Sequence, residues 1–416
     1  MDYFNYRGEE LFAEEVAVSS IVEQYGTPCF IYSKTALERH YKAYEQAFNG
    51  YSNLICYAVK ANSNLAVLNT LAKLGSGFDI VSGGELDRVL TAGGDPQKVV
   101  FSGLGKTETE IRKGLEAGIK CFNVESAAEL YRIDEISKSQ NKIAPISIRV
   151  NPDVDAGTHP YISTGLNENK FGVPANFAIN LYKQAAKLNG IDIVGIDSHI
   201  GSQLTSIAPF LDAIDRLFVL VDQLEREGIL LSHIDIGGGL GVTYENEKPP
   251  EPSDLIALVK EKFTDRNLKI IVEPGRSIAA NAGIFVVRIE YLKNNNRKNF
   301  AVVDGAMNDL IRPALYSAWQ DISPVTRSTI NGIKKYDVVG PICESADFLG
   351  KDRKLDIKSG DLLAIRSAGA YGFVMSSNYN SRPRSPEIMV EGPQAYLVRE
   401  RETVSDLYQS EYLLPS

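Results

Sequence analysis

Lys60 is the first residue in this chain whose position suggests chemistry. It follows the run Leu54–Val59, which is apolar, partly β-branched and as long as a strand. Because side chains alternate along a strand, Cys56, Ala58 and Lys60 share one face. Two small neighbours leave room for the amine to project into a cavity, where it could bond to a carbonyl compound. The alternative is a lysine that reaches along the surface into water, which is the commoner arrangement.

Two glycine-containing stretches could bind an anion. Gly237–Gly239 follows the apolar segment 233–236, and Pro274–Ser277 follows the apolar segment 269–273. Glycine lets backbone N–H groups approach a phosphate without a Cβ atom in the way, although a simple tight turn would use glycine equally well. If the two segments are strands 7 and 8 of a barrel, these loops are where barrels often bind phosphate. A phosphorylated ligand is therefore predicted.

His199 and Glu273 also occur at strand ends. The imidazole of His199 could stack on a flat ligand, although a buried structural histidine is the default interpretation. Glu273 ends an apolar run, so its carboxylate must pair with a cation, bind a protonated ring nitrogen or take up a proton. Arg276 could be a purely structural partner for it. A lysine, a phosphate loop, a stacking histidine and a buried carboxylate together predict pyridoxal 5′-phosphate as the cofactor.

A scaffold must bring these strand ends together. Eight strand-like segments occur at 54–59, 77–81, 98–102, 119–124, 145–150, 193–198, 233–236 and 269–273. Helix-compatible segments alternate with them at 65–74, 84–92, 108–117, 126–138, 175–188, 209–227 and 253–264. This count predicts an α/β fold, a closed (β/α)₈ TIM barrel with its site at the C-terminal strand ends. A doubly wound open sheet is the alternative, because periodicity alone does not exclude it.

The pattern changes after about residue 282. Short β-rich runs separated by Gly, Pro and Asn turns occur near 285–289, 300–304, 335–339, 361–365, 387–390 and 395–398. They predict a second, all-β domain of the sandwich or barrel type. The strand-like Cys29–Ser33 has no place among the eight barrel strands, so we assign it to the β domain. The predicted domains are residues 35–281 for the barrel and residues 1–34 plus 282–416 for the β domain.

Composition limits the classes of function. The chain has 416 residues, 44% of them hydrophobic and 23% charged, as expected for a globular protein of two domains. A net charge of -9 without a basic stripe disfavours nucleic acid as a partner. No signal peptide and no apolar run of membrane-spanning length is visible. Four scattered cysteines without a CxxC pair argue against zinc and disulfides, so we expect a cytoplasmic protein without a metal.

The chain resembles the fold-type III pyridoxal-phosphate-dependent decarboxylases, whose barrel is similar to that of alanine racemase. The resemblance extends over about residues 30–390, in the family's order. The stretches that carry it are Tyr57–Asn62, Phe78–Leu86, Asn151–Asp155, Lys170–Val173, His199–Gln203, Asp235–Gly241, Glu273–Arg276, Val303–Tyr316, Cys343–Ser345 and Gly369–Gly372.

The resemblance implies a role in cofactor binding for individual residues. Lys60 would bond covalently to pyridoxal phosphate, with Asp79 close by. His199 would stack on the ring, and Glu273 would keep the ring nitrogen protonated. The further cofactor contacts would be Gly238 and the backbone of Gly275, Arg276 and Ser277 at the phosphate, and Tyr371 from the β domain.

The resemblance also implies an obligate homodimer, in which Cys343 and Glu344 cross into the partner's site. Cys343 would be catalytic, returning a proton to Cα after CO₂ has left. Within the family, the chain is most similar to the branch that acts on diaminopimelate. The expected reaction is therefore decarboxylation of meso-2,6-diaminopimelate to L-lysine and CO₂, the last step of lysine biosynthesis.

The substrate prediction depends on the far end of diaminopimelate, which carries an ammonium and a carboxylate. Arg276, Arg312 and Tyr316 suit the carboxylate, because guanidinium groups bind carboxylates through two parallel hydrogen bonds. Glu344 suits the ammonium, where ornithine-type relatives usually have aspartate after the cysteine. Tyr371 is also expected to contact the substrate. The alternative for Arg312 and Glu344 is a surface ion pair.

Other functions stay open at this point. Decarboxylation of ornithine, lysine or arginine is the first alternative. An amino-acid racemase would have no evident use for Cys343 and Glu344. A catalytically inactive relative that acts only as a binding partner would not need Lys60 or Cys343. The chain departs from the family pattern at Gly157, where a bulkier polar residue is common and loop mobility could change, and at Ala346, where glycine is common.

Overall fold

The computed structural model describes residues 3–154, 170–328 and 332–415, so the prediction about Gly157 lies outside the described residues. The chain divides into two compact units. One comprises Glu38–Thr243 and Glu247–Ile278, and the other comprises Met1–Leu37, Tyr244–Asn246 and Ala279–Ser416. Tyr244–Asn246 therefore packs with the second unit although it lies within the predicted barrel domain.

The first unit is a closed barrel of eight parallel strands, which confirms the predicted fold and excludes the open sheet. Its strands are β1 (Asn53–Ala58), β2 (Gly77–Ile80), β3 (Val99–Phe101), β4 (Cys121–Val124), β5 (Ala144–Asn151), β6 (Ile191–Asp197), β7 (His233–Asp235) and β8 (Lys269–Val272). Each strand pairs with the next, and β8 pairs with β1 through Ile270 and Asn53. The two-residue strand Val173–Pro174 pairs with the end of β5.

Helices alternate with the strands, and the first seven lie within a few residues of the predicted bounds, whereas the eighth was not predicted. They are α1 (Leu65–Lys73), α2 (Gly83–Thr91), α3 (Glu108–Ala117), α4 (Ala127–Ser139), α5 (Ala175–Ala185), α6 (Ala208–Arg226), α7 (Pro252–Lys262) and α8 (Arg276–Ala279). Side-chain caps set several starts: the Ser82 and Ser126 hydroxyls accept from Glu85 N and Glu129 N, both at 3.2 Å. Such caps satisfy backbone N–H groups that a helix leaves unpaired. Short 3₁₀ turns cover Val59–Ala61 and Pro96–Lys98.

The barrel interior is apolar below the strand ends. Cys56, Val100, Cys121 and Ile271, from four different strands, form one buried cluster. Parallel strands are buried on both faces, which explains their nearly continuous apolar runs. Cys56 thus points inward, as the alternation along β1 predicts, and Lys60 follows two residues after that strand ends, in the turn Val59–Ala61.

The second unit is rich in β-structure, as predicted. Its strands are Phe4–Arg7, Glu10–Ala13, Val16–Ala17, Cys29–Ser33, Gly283–Asn294, Asn299–Val303, Ile322–Pro324, Lys334–Val339, Phe348–Leu355, Leu362–Ile365, Glu387–Glu391 and Gln394–Arg399. Cys29–Ser33 lies between Gly283–Asn294 and Glu387–Glu391 in one sheet, so its assignment to the β-rich part is confirmed. The core of the unit includes Leu11, Ile31, Ile284, Val325 and Ile388.

The remaining helices are Val18–Tyr25, Lys34–Phe48 and Arg312–Tyr316, with 3₁₀ turns at Ala280–Ala282, Phe373–Met375, Tyr379–Ser381 and Ser405–Leu407. Ser33 caps Lys34–Phe48, because its hydroxyl accepts a hydrogen bond from Ala36 N at 3.0 Å. Over the part of the chain that the structure describes, no helix combines the length and apolar character needed to cross a membrane.

Candidate active site

Lys60 lies at the C-terminal rim of the barrel and contacts a buried carboxylate. Its amine donates to Asp79 Oδ2 on β2, the neighbouring strand. The Lys60 side chain is 32% exposed, whereas that of Asp79 is fully buried. The amine is thus accessible from the rim and oriented by a carboxylate below it. This excludes the alternative of a lysine that extends freely into water.

Three more carboxylates surround the base of this rim. Asp197, Asp235 and Glu273 end or follow β6, β7 and β8, and each places one oxygen within 4.8 Å of the other two. All three residues are at most 4% exposed. Burial raises the pKa of Glu273 and of Asp197 well above the usual range, and the adjacent carboxylates raise it further. The cluster therefore needs either bound protons or a cation.

Positive charge near this cluster is limited. Arg149 on β5 lies 3.0 Å from Glu125 Oε1 and 3.8 Å from Asp197 Oδ2. Within residues 3–154, 170–328 and 332–415, no lysine or arginine nitrogen lies within 4.0 Å of the Glu273 carboxylate. Glu273 Oε1 instead accepts a hydrogen bond from the Ser102 hydroxyl at 3.3 Å. The structural pairing of Glu273 with Arg276, one of the alternatives above, is not found.

Asp235 should make stability depend on pH. Burial raises its pKa to about 7, against about 3.9 in an unfolded chain, so folding favours its protonated form. Its cost to stability is absent below pH 4, grows as pH rises towards 7, and is constant above it. Asp235→Asn removes that cost. We expect the melting temperature of the variant, relative to wild type, to rise by roughly 5 °C between pH 4.5 and pH 8.

Differential scanning fluorimetry without added cofactor measures this shift. Asp192→Asn, at an exposed position of β6, is the matched control and should show no such change between the two pH values. An Asp235→Asn difference that is equal at both pH values would contradict the prediction.

His199 follows β6 at the same rim and is neutral. Burial lowers its pKa well below the usual range, and the positive charges of Arg149 and Lys60 lower it further. Gly201 N donates to His199 Nδ1 at 3.2 Å, which assigns the ring proton to Nε2. A neutral, oriented imidazole is able to stack on the face of a flat ring, and this role of His199 stays a prediction.

The glycine loops after β7 and β8 lie side by side. Glu273 N donates to Gly237 O at 2.9 Å. A Cβ atom on Gly238 would lie 2.1 Å from Glu273 O, and one on Gly275 would lie 3.0 Å from Ala58 Cβ. Gly237 has a φ of +69°, in the left-handed region that favours glycine. Close packing and turn geometry thus require these glycines in addition to the predicted access of an anion, which stays a prediction.

Arg276 and Ser277 begin α8 beside these loops. The Arg276 guanidinium donates to Ser202 Oγ through Nη2 at 3.0 Å and Nε at 3.3 Å. The Ser277 hydroxyl lies 2.7 Å from the hydroxyl of Tyr44. Arg276 is only 6% exposed, so the surrounding residues restrict the movement of its side chain. The structure thus brings together, at one rim, all the barrel residues predicted for the site.

The predicted residues outside the barrel belong to the second unit. Arg312 and Tyr316 occupy the first and last positions of one short helix, four residues apart and hence on one face. The Arg312 guanidinium carbon lies 4.7 Å from the centre of the Tyr244 ring, a cation–π contact. Tyr371 has a φ of +55°, a conformation that is costly for a tyrosine and typical of functional positions.

Cys343 and Glu344 lie together on an exposed loop of the second unit. Cys343 is exposed, whereas Cys29, Cys56 and Cys121 are buried. Burial raises the pKa of Cys29 to about 12, so such thiols stay protonated and inert. Glu344 Oε1 accepts a hydrogen bond from the Tyr379 hydroxyl at 2.9 Å. Among the described residues no lysine or arginine pairs with Glu344, which excludes the surface ion pair with Arg312.

The charges of the barrel rim fit a pyridoxal cofactor. Asp79, Asp197, Asp235 and Glu273 are buried around two nearby cations, Lys60 and Arg149. A protonated pyridine nitrogen beside Glu273 would supply the positive charge that this carboxylate lacks among the described residues. The accessible amine of Lys60 is the group that a pyridoxal aldehyde requires.

Some residues of the site were not predicted. No role was assigned to Asp197 and Asp235 from the sequence. The sequence could have predicted their proximity, because both residues end apolar runs that form adjacent strands. In the structure, Asp197 is paired with Asp235. Arg149, Glu125 and Ser102 gave no signal, because isolated polar residues in apolar runs do not reveal their partners.

Comparisons with known proteins agree with this chemistry. The model of the family "Pyridoxal-dependent decarboxylase, pyridoxal binding domain" matches residues 34–280. The chain is 58% identical over 417 residues, covering all of both chains, to the diaminopimelate decarboxylase of Vibrio cholerae. The match to the Vibrio cholerae enzyme extends over both units.

Two solved structures are also similar. Diaminopimelate decarboxylase from Helicobacter pylori complexed with L-lysine has a TM-score of 0.91 at 43% identity, covering 94% of this chain and 98% of that one. The M. jannaschii enzyme in complex with L-lysine has a TM-score of 0.94 at 36% identity, covering 100% and 98%. The family match, the identity over full length and the shared fold lead to one conclusion. This chain is a pyridoxal-dependent decarboxylase and belongs to the diaminopimelate decarboxylase family.

Proposed function

We propose that the enzyme uses pyridoxal 5′-phosphate to decarboxylate meso-2,6-diaminopimelate to L-lysine and CO₂. One observation carries the proposal. At the same barrel rim lie the accessible amine of Lys60 and the buried carboxylate of Glu273, which has no lysine or arginine partner among the described residues. The chemistry that the cofactor supplies when bound is an acceptor for the electron pair left at Cα. Lysine biosynthesis in the cytoplasm is the corresponding cellular role.

The barrel residues hold the cofactor in this proposal. Lys60 binds it covalently, with Asp79 orienting the amine. Glu273 holds a proton on the ring nitrogen, and His199 covers one ring face. The groups that bind the phosphate are Gly238 and the backbone of Gly275, Arg276 and Ser277. Tyr371 contacts both cofactor and substrate.

The acidic cluster supports the assignment of Glu273. A carboxylate that is surrounded by other carboxylates attracts a proton strongly, so a ring nitrogen beside it stays protonated at neutral pH. Asp235 shares this environment and strengthens the local negative potential. The result is a site that favours positive charge on the ligand it binds.

Residues of the second unit, together with Arg276 of the barrel, select the substrate in this proposal. Arg276, Arg312 and Tyr316 bind the distal carboxylate, and Glu344 binds the distal ammonium. Cys343 returns a proton from its thiol to Cα after the carboxylate has left. The exposure of Cys343 and Glu344 supports a homodimer in which these two residues act in the partner's site.

Incubation with pyridoxal phosphate and meso-diaminopimelate tests the function. We expect equal amounts of L-lysine and CO₂, measured by chromatography and by coupled CO₂ detection. Ornithine, lysine and arginine form the substrate panel, because their far ends lack the carboxylate that the arginines bind. CO₂ from one of these amino acids, without lysine from diaminopimelate, would refute the proposed substrate. Chiral chromatography of the same panel tests for racemisation.

A further inference from the structure

The loop that carries Cys343 and Glu344 has a firmly held backbone. Asp347 closes it, because its carboxylate accepts hydrogen bonds from Ile342 N and Met307 N, both at 2.7 Å. Glu344 N donates to Ile342 O at 2.8 Å, and Asp347 N donates to Glu344 O at 3.1 Å. Asp347 is 4% exposed, so these bonds are shielded from water. The main freedom left in the loop is that of its exposed side chains.

A second segment contacts this loop through two adjacent side chains. Asn380 Oδ1 accepts a hydrogen bond from Cys343 N at 2.9 Å, and the Tyr379 hydroxyl donates to Glu344 Oε1 at 2.9 Å. Asn380 has a φ of +56°, which asparagine tolerates better than most residues. The consecutive residues Tyr379 and Asn380 thus bind the consecutive residues Glu344 and Cys343, respectively.

The two residues that precede Tyr379 are held by hydrogen bonds. Ser377 N donates to Asn308 O at 2.8 Å, and Asn378 Nδ2 donates to Glu402 Oε2 at 2.7 Å. Tyr379 is 42% exposed, so a change at its hydroxyl does not open the core. A glutamate has three rotatable side-chain bonds, and an exposed one samples many orientations unless a partner restricts it. The hydrogen bond from Tyr379 supplies that restriction.

We propose that Tyr379 is a positioning residue that holds the Glu344 carboxylate in the orientation that binds the distal ammonium of the substrate. The inference rests on the proposed role of Glu344. By fixing the carboxylate before substrate arrives, Tyr379 reduces the entropy lost on binding. It acts on recognition of the distal ammonium and has no part in the chemical step at Cα.

Tyr379→Phe tests the proposal, because it removes the hydroxyl and keeps the ring. We expect the KM for meso-diaminopimelate to rise about threefold to tenfold, the range for loss of one exposed hydrogen bond, with kcat within about twofold of wild type. Tyr396→Phe is the matched control: Tyr396 is also exposed and donates to Gln394, and its KM should not change. Circular dichroism and the melting temperature verify that both variants fold.

A double-mutant cycle with Glu344→Ala tests whether Tyr379 acts through Glu344. The KM increase caused by Tyr379→Phe should disappear in the Glu344→Ala background, because alanine has no side-chain oxygen to accept the hydrogen bond from the hydroxyl. The KM for 2-aminopimelate, which lacks the distal ammonium, should be equal in Tyr379→Phe and wild type. An unchanged KM for diaminopimelate, or the same increase in the Glu344→Ala background, would overturn the role of Tyr379.

The same series separates this inference from the proposed function. Wild-type enzyme that forms lysine, with a Tyr379→Phe variant that matches it in KM, overturns only the role of Tyr379. Wild-type enzyme that forms no lysine from diaminopimelate overturns the proposed function and this role together.

Discussion

Replacing Lys60 by alanine is expected to lower lysine formation roughly 10³-fold or more. The variant loses both the amine that holds the cofactor and a group able to move protons, and positioned acid–base groups alone contribute about 10²–10⁴-fold. Release of CO₂ from carboxyl-labelled diaminopimelate measures the loss. Borohydride reduction followed by peptide mass spectrometry provides a second readout, since the cofactor mass should appear on the peptide that contains Lys60 in wild type alone.

Lys60→Arg separates covalent chemistry from simple ion pairing. Arginine keeps a positive charge beside Asp79 but cannot form the covalent bond to the cofactor. We therefore expect Lys60→Arg to be as inactive as Lys60→Ala. Lys98 immediately precedes β3, at the end of the barrel opposite to Lys60, so Lys98→Ala controls for the loss of a lysine from the barrel. Substantial activity in Lys60→Arg would mean that the lysine serves only as the ion-pair partner of Asp79.

Mixing two inactive variants is expected to restore about a quarter of wild-type activity. Cys343→Ala should slow turnover severely while leaving covalent cofactor binding to Lys60 intact. If Cys343 acts in the partner's site, a dimer of Lys60→Ala with Cys343→Ala has one site with both groups intact and one site lacking both. Random exchange makes half of the dimers mixed, so about a quarter of all sites are complete.

Co-expression of the two variants with different affinity tags isolates the mixed dimer, which should show about half of wild-type activity because one of its two sites is complete. The matched control pairs Cys343→Ala with the double variant Lys60→Ala/Cys343→Ala, which offers no complete site in any combination. Activity equal to that control would place Lys60 and Cys343 in the same subunit's site, or would indicate a monomer. Size-exclusion chromatography with light scattering distinguishes these two results.

The barrel could be predicted from sequence because its signals are local. Each strand is a short apolar run, and helix starts such as Ser82 and Ser126 have capping residues that identify them. The candidate rim follows directly, since every strand of a parallel barrel ends at the same face. The sequence alone therefore predicts that Lys60, His199 and Glu273 lie at the same rim.

The remaining features depend on contacts that local patterns do not encode. Gly238 is required because the next loop passes within 2.1 Å of where its side chain would begin, which is a relation between two loops. Asn380, which accepts a hydrogen bond from Cys343 N, has a left-handed backbone, and sequence rarely specifies such a conformation outside glycine. The charge of Asp235 likewise depends on neighbours that are distant in the chain.

Closure of the barrel through β8 and β1 has a consequence for how the enzyme is made. Asn53 and Ile270 are adjacent in the ring although more than two hundred residues separate them in the chain. Ala58 N, just before Lys60, donates to Pro274 O at 3.1 Å, so the last strand fixes the first strand's exit. Contacts of such long range form late and slowly. A ribosome-bound chain that stops before β8 should therefore be unable to retain pyridoxal phosphate, and cofactor capture should report completion of folding.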